Sequence, residues 1–390
     1  MKLRERALSI LKGKVADRLP WYGYLNDWHN ATQNKGLLEK KYMGFEGILN
    51  LHRDLRVGCL LGGEPYIPVY RNCEVVEVER KSTSYEKIFN KDLYRGSKII
   101  KSKDNNDIIR EVSTPVGKIK EIWKYSPITF SWAPTKYFIN SIQDLKVFKY
   151  WIQNTNYKPF YDVLDMIKEG IGEQGLVLSS QPRSPFSQFI TLYAGIINTI
   201  NLFMDDRKLF NETIKVLEQK SDEEAEITLK SPTDVIGICE NLSSDVVGKN
   251  FFEDYIRPFD EKWTKKIKGE GKYSLMHFDG YLKGLLKEAS KLGFSIINGM
   301  TPKPSGDLEI SEFRDYVKSN TIMWGGIPAI FFTSFVNDKE FEKFVSEAIK
   351  VFVSEPRYIL GMGDEIPANG LIKRVKMVSD LVEKYGLYKK

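Results

Sequence analysis

The chain has 390 residues, 42% of them hydrophobic and 28% charged. That balance fits a soluble globular protein of about two to three domains, or one large α/β barrel carrying an insertion. Only three Cys and three His are present, and Cys59, Cys73 and Cys239 show no C-x-x-C spacing, which excludes a disulfide scaffold or a zinc-finger array and points to reduced thiols in the cytoplasm. A net charge of +6 spread over the whole length gives little reason to expect a nucleic-acid partner.

In chain order, Met1–Gly13 places Leu3, Ala7, Leu8 and Leu11 at helical spacing and lacks the unbroken apolar stretch of a signal peptide. The runs Arg18–Leu25 and Arg56–Gly62 follow as first and second strands. From 63 to 173 the pattern changes: Glu74–Arg80, Ile108–Val112 and Lys118–Tyr125 alternate in period two, separated by polar clusters such as Lys103-Asp104-Asn105-Asn106-Asp107. This reads as an antiparallel β insertion after the second strand, interrupted by Pro115, Pro127 and Pro134, with a helical return over Ser141–Gly170. Beyond it, β-branched runs alternate with amphipathic helices, the pattern of parallel β/α units. The runs are Gly175–Gln181, Asp234–Glu240, Tyr273–Asp279, Phe294–Asn298, Thr321–Gly325 and Arg357–Gly363. Helices are expected over Tyr281–Leu292, after a cap at Asn337 or Asp338, and through Ile372, Val375, Val378 and Leu381 to Gly386. Eight strands of this kind make a TIM barrel. No window approaches the roughly 18 apolar residues of a membrane span.

Several fragments, in order over nearly the whole chain, together resemble the uroporphyrinogen decarboxylase superfamily, which includes the methylcobamide-dependent methyltransferases. They are Arg4-Ala7-Leu8, Asp17-Arg18-Leu19-Pro20-Trp21, Thr114-Pro115-Val116-Gly117, Ser184-Pro185-Phe186-Ser187, Gly237-Ile238-Cys239-Glu240, Phe251-Phe252-Glu253-Asp254-Tyr255-Ile256-Arg257-Pro258, His277-Phe278-Asp279-Gly280, Trp324-Gly325-Gly326-Ile327-Pro328 and Ile359-Leu360-Gly361-Met362-Gly363-Asp364-Glu365-Ile366-Pro367. The resemblance implies a distorted TIM barrel with its site at the C-terminal ends of the strands. Departures from the pattern matter equally. True decarboxylases hold a tetrapyrrole with arginines on and after the first strand, whereas here Trp21-Tyr22-Gly23-Tyr24-Leu25-Asn26-Asp27 is aromatic and then acidic, which argues against haem biosynthesis. The thiol-methylating members bind zinc through a His-x-Cys pair on the fifth strand and a Cys on the eighth; here His277 stands with Asp279, and Gly363 precedes Asp364, so thiolate ligands are absent.

Glu240, His277 and Asp279 each close a strand and would converge at the C-terminal face as an O,N,O set for proton transfer or for a metal such as zinc. The competing reading makes Asp279 a helix cap and His277 a hydrogen-bonded core residue. Asp364 and Glu365 either serve the site, cap the final helix or face water. Gln181 and Arg183 close the third strand, and Arg183 would bind a carboxylate or phosphate or form a rim salt bridge. Trp21, Tyr22 and Tyr24 would stack on a flat ring, although alternation lets only some of them face inward. Alternation also turns Cys239 away from a pocket that Glu240 faces. His29 and His52 are expected at the surface. Within the resemblance, the expected activity is transfer of a methyl group between a corrinoid (methylcobalamin) on a partner corrinoid protein and a small acceptor such as tetrahydrofolate, whose amino-pyrimidine edge Asn241, Asp279 or Glu240 would bond. The alternatives are a decarboxylase or lyase using Arg183 as carboxylate anchor, and a non-catalytic corrinoid-binding protein.

Overall fold

The computed structural model describes residues 1–80, 98–102, 107–128 and 131–388; the polar cluster at 103–106 lies outside them. Eight parallel strands form the barrel: β1 Trp21–Tyr22, β2 Cys59–Gly63, β3 Gly175–Gln181, β4 Val235–Ile238, β5 Tyr273–His277, β6 Ile296–Met300, β7 Ile322–Ile327 and β8 Tyr358–Met362. Their order around the sheet is β1-β8-β7-β6-β5-β4-β3-β2. A single parallel bridge, Tyr22 to Gly58, closes β1 onto the start of β2. Strands β6, β7 and β8 are buried at every residue, because a parallel sheet covered by helices outside and filled inside has no wet face. This is the α/β TIM-type barrel that the periodicity predicts. β1 is shorter than Arg18–Leu25, since the chain turns into the helix Asn26–Asn34 immediately after Leu25.

Inside the barrel Tyr22, Leu60, Leu176, Leu275, Ile322, Trp324 and Ile359 form one cluster with Ala7, Ile10 and Leu11 of the helix Leu3–Leu11. That helix stoppers the N-terminal end. Arg4 anchors it with a bidentate pair to Asp234 at 2.6 and 2.7 Å, leaving the C-terminal end as the accessible one.

The insertion contains a sheet in the order Lys98–Ser102, Glu74–Arg80, Ile108–Thr114, Gly117–Ser126, Ser131–Lys136. Pairing is antiparallel except between the first two. Its inner residues Val75, Val112 and Ile119 join the apolar cluster packed between barrel and helices. Ser141–Gly170 is not one helical return: the helices Ile142–Gln153 and Asp162–Ile171 are separated by a strand, Thr155–Pro159, which pairs antiparallel with Tyr66–Tyr70. Tyr157 and Tyr66 make an edge-on ring contact at 5.5 Å across that pair, a cross-strand partner invisible to local periodicity.

Tyr281–Leu292 is helical only over Leu286–Ala289, although Leu282, Leu285, Leu286 and Ala289 are all buried as the spacing requires. Asn337 caps Asp338–Phe352 reciprocally with Glu340, and the last helix is Lys373–Tyr385. His29 and His52 are fully buried rather than exposed. They sit on the inner faces of Asn26–Asn34 and Gly44–Leu55, where His29 Nε2 donates to the Tyr42 carbonyl at 2.6 Å. Among the described residues no helix is long and apolar enough to cross a membrane.

Candidate functional site

A cleft of about 300 Å³ opens at the C-terminal end of the barrel, within the size range of small-molecule sites. Leu60, Leu178 and Leu275 contribute apolar surface from the barrel strands, and Phe45, Leu61 and Ile167 one flank. Its polar lining comes from strand ends: Tyr24 and Asn26 after β1, Ser180 on β3, Cys239 and Asn241 after β4, His277 on β5, Asn298 on β6, and Asp364 and Glu365 after β8. No lysine or arginine is among the lining residues.

The end of β4 inverts the expected orientation. Cys239 faces the cleft, and Glu240 turns away and is 1% exposed. The reason is the loop after β3. The Ser184 amide donates to Glu240 Oε1 at 2.5 Å, the Ser184 hydroxyl to Oε2 at 2.7 Å, and the Ser187 hydroxyl also to Oε2. Glu240 therefore locks the loops after β3 and β4 together, a junction that Phe186 stacked on Phe251 at 4.8 Å extends. Burial raises its carboxyl above the usual range, opposed by the bonds from Ser187 and Ser184. Asn241 then takes a left-handed conformation, φ 51°, which Asn tolerates better than most residues, and carries the chain back over the mouth.

His277 and Asn298 are paired in register on β5 and β6. His277 Nδ1 lies 2.9 Å from Asn298 Oδ1, and Asn298 Nδ2 donates to the Tyr24 hydroxyl at 2.8 Å. His277 Nε2 lies 4.0 Å from Asp279 Oδ2. Gly299, at φ +84°, sits behind the ring: a Cβ there would lie 2.7 Å from His277 Cε1. Asp279 does not cap the segment that follows it, because Asp307 accepts from the amides of Leu282 and Lys283 at 2.8 and 3.2 Å and the Ser243 hydroxyl accepts from Tyr281. With those amides taken, the half-buried Asp279 carboxylate remains at the mouth beside His277.

Of the aromatic run, only Tyr24 reaches the cleft. Tyr22 lies at the barrel floor with its hydroxyl on the Leu3 carbonyl at 3.1 Å, and Trp21 points outward to bond Ser379 at 3.1 Å. Gln181 is buried and does not line the cleft; since its neighbour Ser180 does, alternation turns it toward the helix layer. Arg183 is half-buried at the rim, and among the described residues its guanidinium forms no ion pair or hydrogen bond; its charge bears on Glu64, Cys239 and Glu240. Glu365 caps the helix after β1 rather than the final one: it accepts from the Asn26 amide at 2.9 Å, the Asn26 side chain at 3.0 Å and the Asp27 amide at 3.4 Å. Burial beside Asp27 and Asp364 pushes its carboxyl up to about 8. Asp364 is exposed on the cleft wall.

Glu240, His277 and Asp279 thus do not converge, and among the described residues no group of three His, Cys, Asp or Glu is placed to hold a metal ion. Gly363 has no room for a side chain, since a Cβ would overlap the Thr301 hydroxyl. The residues present do not fit a zinc centre. Asn298, Gly299, Cys239 and Asn26 are the site residues that sequence reasoning missed. Asn298 carried a usable signal: it is a polar residue closing a predicted barrel strand, as His277 is.

A model of the uroporphyrinogen decarboxylase (URO-D) family matches residues 134–385, more than half of the chain. The chain belongs to the uroporphyrinogen decarboxylase family. No curated protein matches its sequence. Among solved structures, a methyltransferase from Methanosarcina mazei is similar over 99% of both chains, with a TM-score of 0.60 at 12% identity; that likeness is one of fold. The octameric ribulose-1,5-bisphosphate carboxylase/oxygenase of Pyrococcus horikoshii OT3 covers 61% of this URO-D family chain and 48% of its own at 12% identity, with a TM-score of 0.29. A fungal β-1,4-galactanase reaches a TM-score of 0.31 at 10% identity, over 93% of this chain and 99% of its own.

Proposed function

We propose that this URO-D family protein is a methyltransferase that moves a methyl group between a corrinoid on a partner protein and a small amine acceptor, with tetrahydrofolate the candidate. The observation that carries the reading is the cleft itself: small, lined by His277 and the acidic side chains of Asp364 and Glu365, and without a cationic side chain among its lining residues. A tetrapyrrole bearing eight carboxylates demands the opposite lining. The shared fold with a methyltransferase supports the reading.

When bound, methylcobalamin supplies an electrophilic methyl group on cobalt. The protein's contribution is to hold the acceptor and take its proton. As the acceptor nitrogen took up that methyl group, His277 Nε2 would accept its N–H proton, and Asp279, 4.0 Å away, would stabilise the imidazolium. Asn241 and Asp364 on the walls would bond the polar edge of the acceptor. Incubating the protein with methylcobalamin and tetrahydrofolate and following cob(I)alamin formation by absorbance tests this: turnover above the protein-free rate, lost in His277→Ala, is expected, and no turnover with no binding of either compound refutes it.

Arg183, which has no ion pair among the described residues, favours a second reading, a decarboxylase acting on a small acid that anchors its carboxylate at the rim. Arg183→Ala would then abolish binding of the acid, and corrinoid would not bind.

A further inference from the structure

We infer that Asn298 and Tyr24 form a positioning relay that fixes His277 as the Nδ1-protonated tautomer, so that Nε2 offers a proton acceptor and the Tyr24 hydroxyl a proton donor to the same ligand. The inference rests on the proposed acceptor role of His277, but its structural core does not depend on which reaction follows.

Donor and acceptor capacity orders these three side chains. Asn298 is 3% exposed, and its amide has one acceptor end and one donor end. Its Nδ2 is committed to the Tyr24 oxygen at 2.8 Å, so Oδ1 faces the imidazole at 2.9 Å and can only accept. With the Asn298 amide in this orientation, His277 Nδ1 carries the hydrogen. In the neutral ring that leaves the Nε2 lone pair on the side of Asp279. The reverse tautomer would set two lone pairs against each other in a buried contact unless the amide turned and the Tyr24 hydroxyl donated to Oδ1, which would remove Tyr24 as a donor to the ligand.

Tyr24 follows the same logic from the other end. Its oxygen accepts from Asn298, so its own hydrogen is directed elsewhere, and the residue lines the cleft. Tyr24 is held by Trp324, whose ring stacks on it at 6.4 Å and 23°. The backbone fixes the remaining member, because the in-register pairing of His277 with Asn298 sets their side chains on one face, and the missing Cβ of Gly299 gives the imidazole its place. A ligand must then present a donor to His277 and an acceptor to Tyr24. A heterocycle with an N–H near a carbonyl or ring nitrogen meets that demand; a simple alkylamine, with no acceptor, meets only half of it.

The test is long-range ¹H–¹⁵N correlation of the full chain labelled at histidine, at a pH where the imidazoles are neutral, with the His277 signals assigned by their loss in His277→Gln. The wild type should show protonated Nδ1 and bare Nε2. Asn298→Asp, whose carboxylate still accepts, should keep that pattern; Asn298→Leu should shift the population toward Nε2–H. A wild-type spectrum with Nε2 protonated overturns the relay whether or not any variant folds, as does an unchanged pattern in Asn298→Leu. In the methyl-transfer assay Tyr24→Phe should raise KM for the acceptor about tenfold, the worth of one hydrogen bond; an unchanged KM overturns the donor assignment. Absence of turnover in the wild type would refute the proposed function, whereas the tautomer is read without turnover. The donor assignment is then read from binding of tetrahydrofolate to wild type and Tyr24→Phe, and equal affinity overturns it.

Discussion

Glu224 allows a quantitative check of how the mouth of the barrel is assembled. It lies on the helix Arg207–Leu229, 9% exposed, against Tyr66 and Tyr157 of the small two-stranded sheet. Burial pushes its carboxyl from 4.5 up to about 8; the phenols of Tyr157 and Tyr66 oppose the rise and the Glu64 charge adds to it. A carboxyl whose folded pKa lies above its unfolded value is protonated in the fold, while the unfolded chain releases the proton at lower pH. Stability should therefore fall as pH climbs from 4.5 toward 8, then level off. The displacement from 4.5 to about 8 is worth about 5 kcal/mol in full at 1.36 kcal/mol per pKa unit, of which about 3 kcal/mol falls between pH 6 and pH 9. Glu224→Gln keeps the shape and the phenol contacts but cannot ionise. Urea unfolding followed by circular dichroism at both pH values should show the variant gaining about 3 kcal/mol on the wild type at the higher pH. Every other titrating group is common to both proteins, so a difference that does not change with pH would refute the reasoning.

His52, held down to about 4 by burial, behaves in the opposite direction: it is neutral in the fold, so stability should drop by about 2 kcal/mol between pH 7 and pH 4.5 as the unfolded chain takes up the proton, and His52→Leu should remove that slope in the same unfolding measurement. Gly299→Ala should lose about 1–2 kcal/mol from its left-handed backbone and displace the imidazole of His277, seen as a changed His277 nitrogen signal; an unaltered melting midpoint and signal would count against the close approach. Glu240→Ala strands the Ser184 amide and two serine hydroxyls in the interior and should cost more than about 2 kcal/mol of stability, whereas loss of turnover at unchanged stability would restore Glu240 to the chemistry.

The eight strands, their order of appearance and the place of the insertion are legible in the sequence, because a buried parallel strand needs a short β-branched run and an amphipathic helix its apolar stripe. His277 is legible for the same reason, as a polar residue closing such a run. Which of two adjacent side chains faces the cleft is a different matter. Cys239 and Glu240 carry no local mark that decides it; the choice is made by Ser184 and Ser187, more than fifty positions away in the chain, whose buried donors need a carboxylate. Asp279 is free because Asp307 does the capping, and Glu365 serves the helix after β1 because the barrel closes β8 onto β1. His29 and His52 are inside because the helices that carry them pack inward on those faces. Sequence alone determined the periodic elements, since periodicity is local; only the tertiary structure decided the partners of the buried polar groups, because a hydrogen bond in the interior is satisfied by whatever the fold brings beside it.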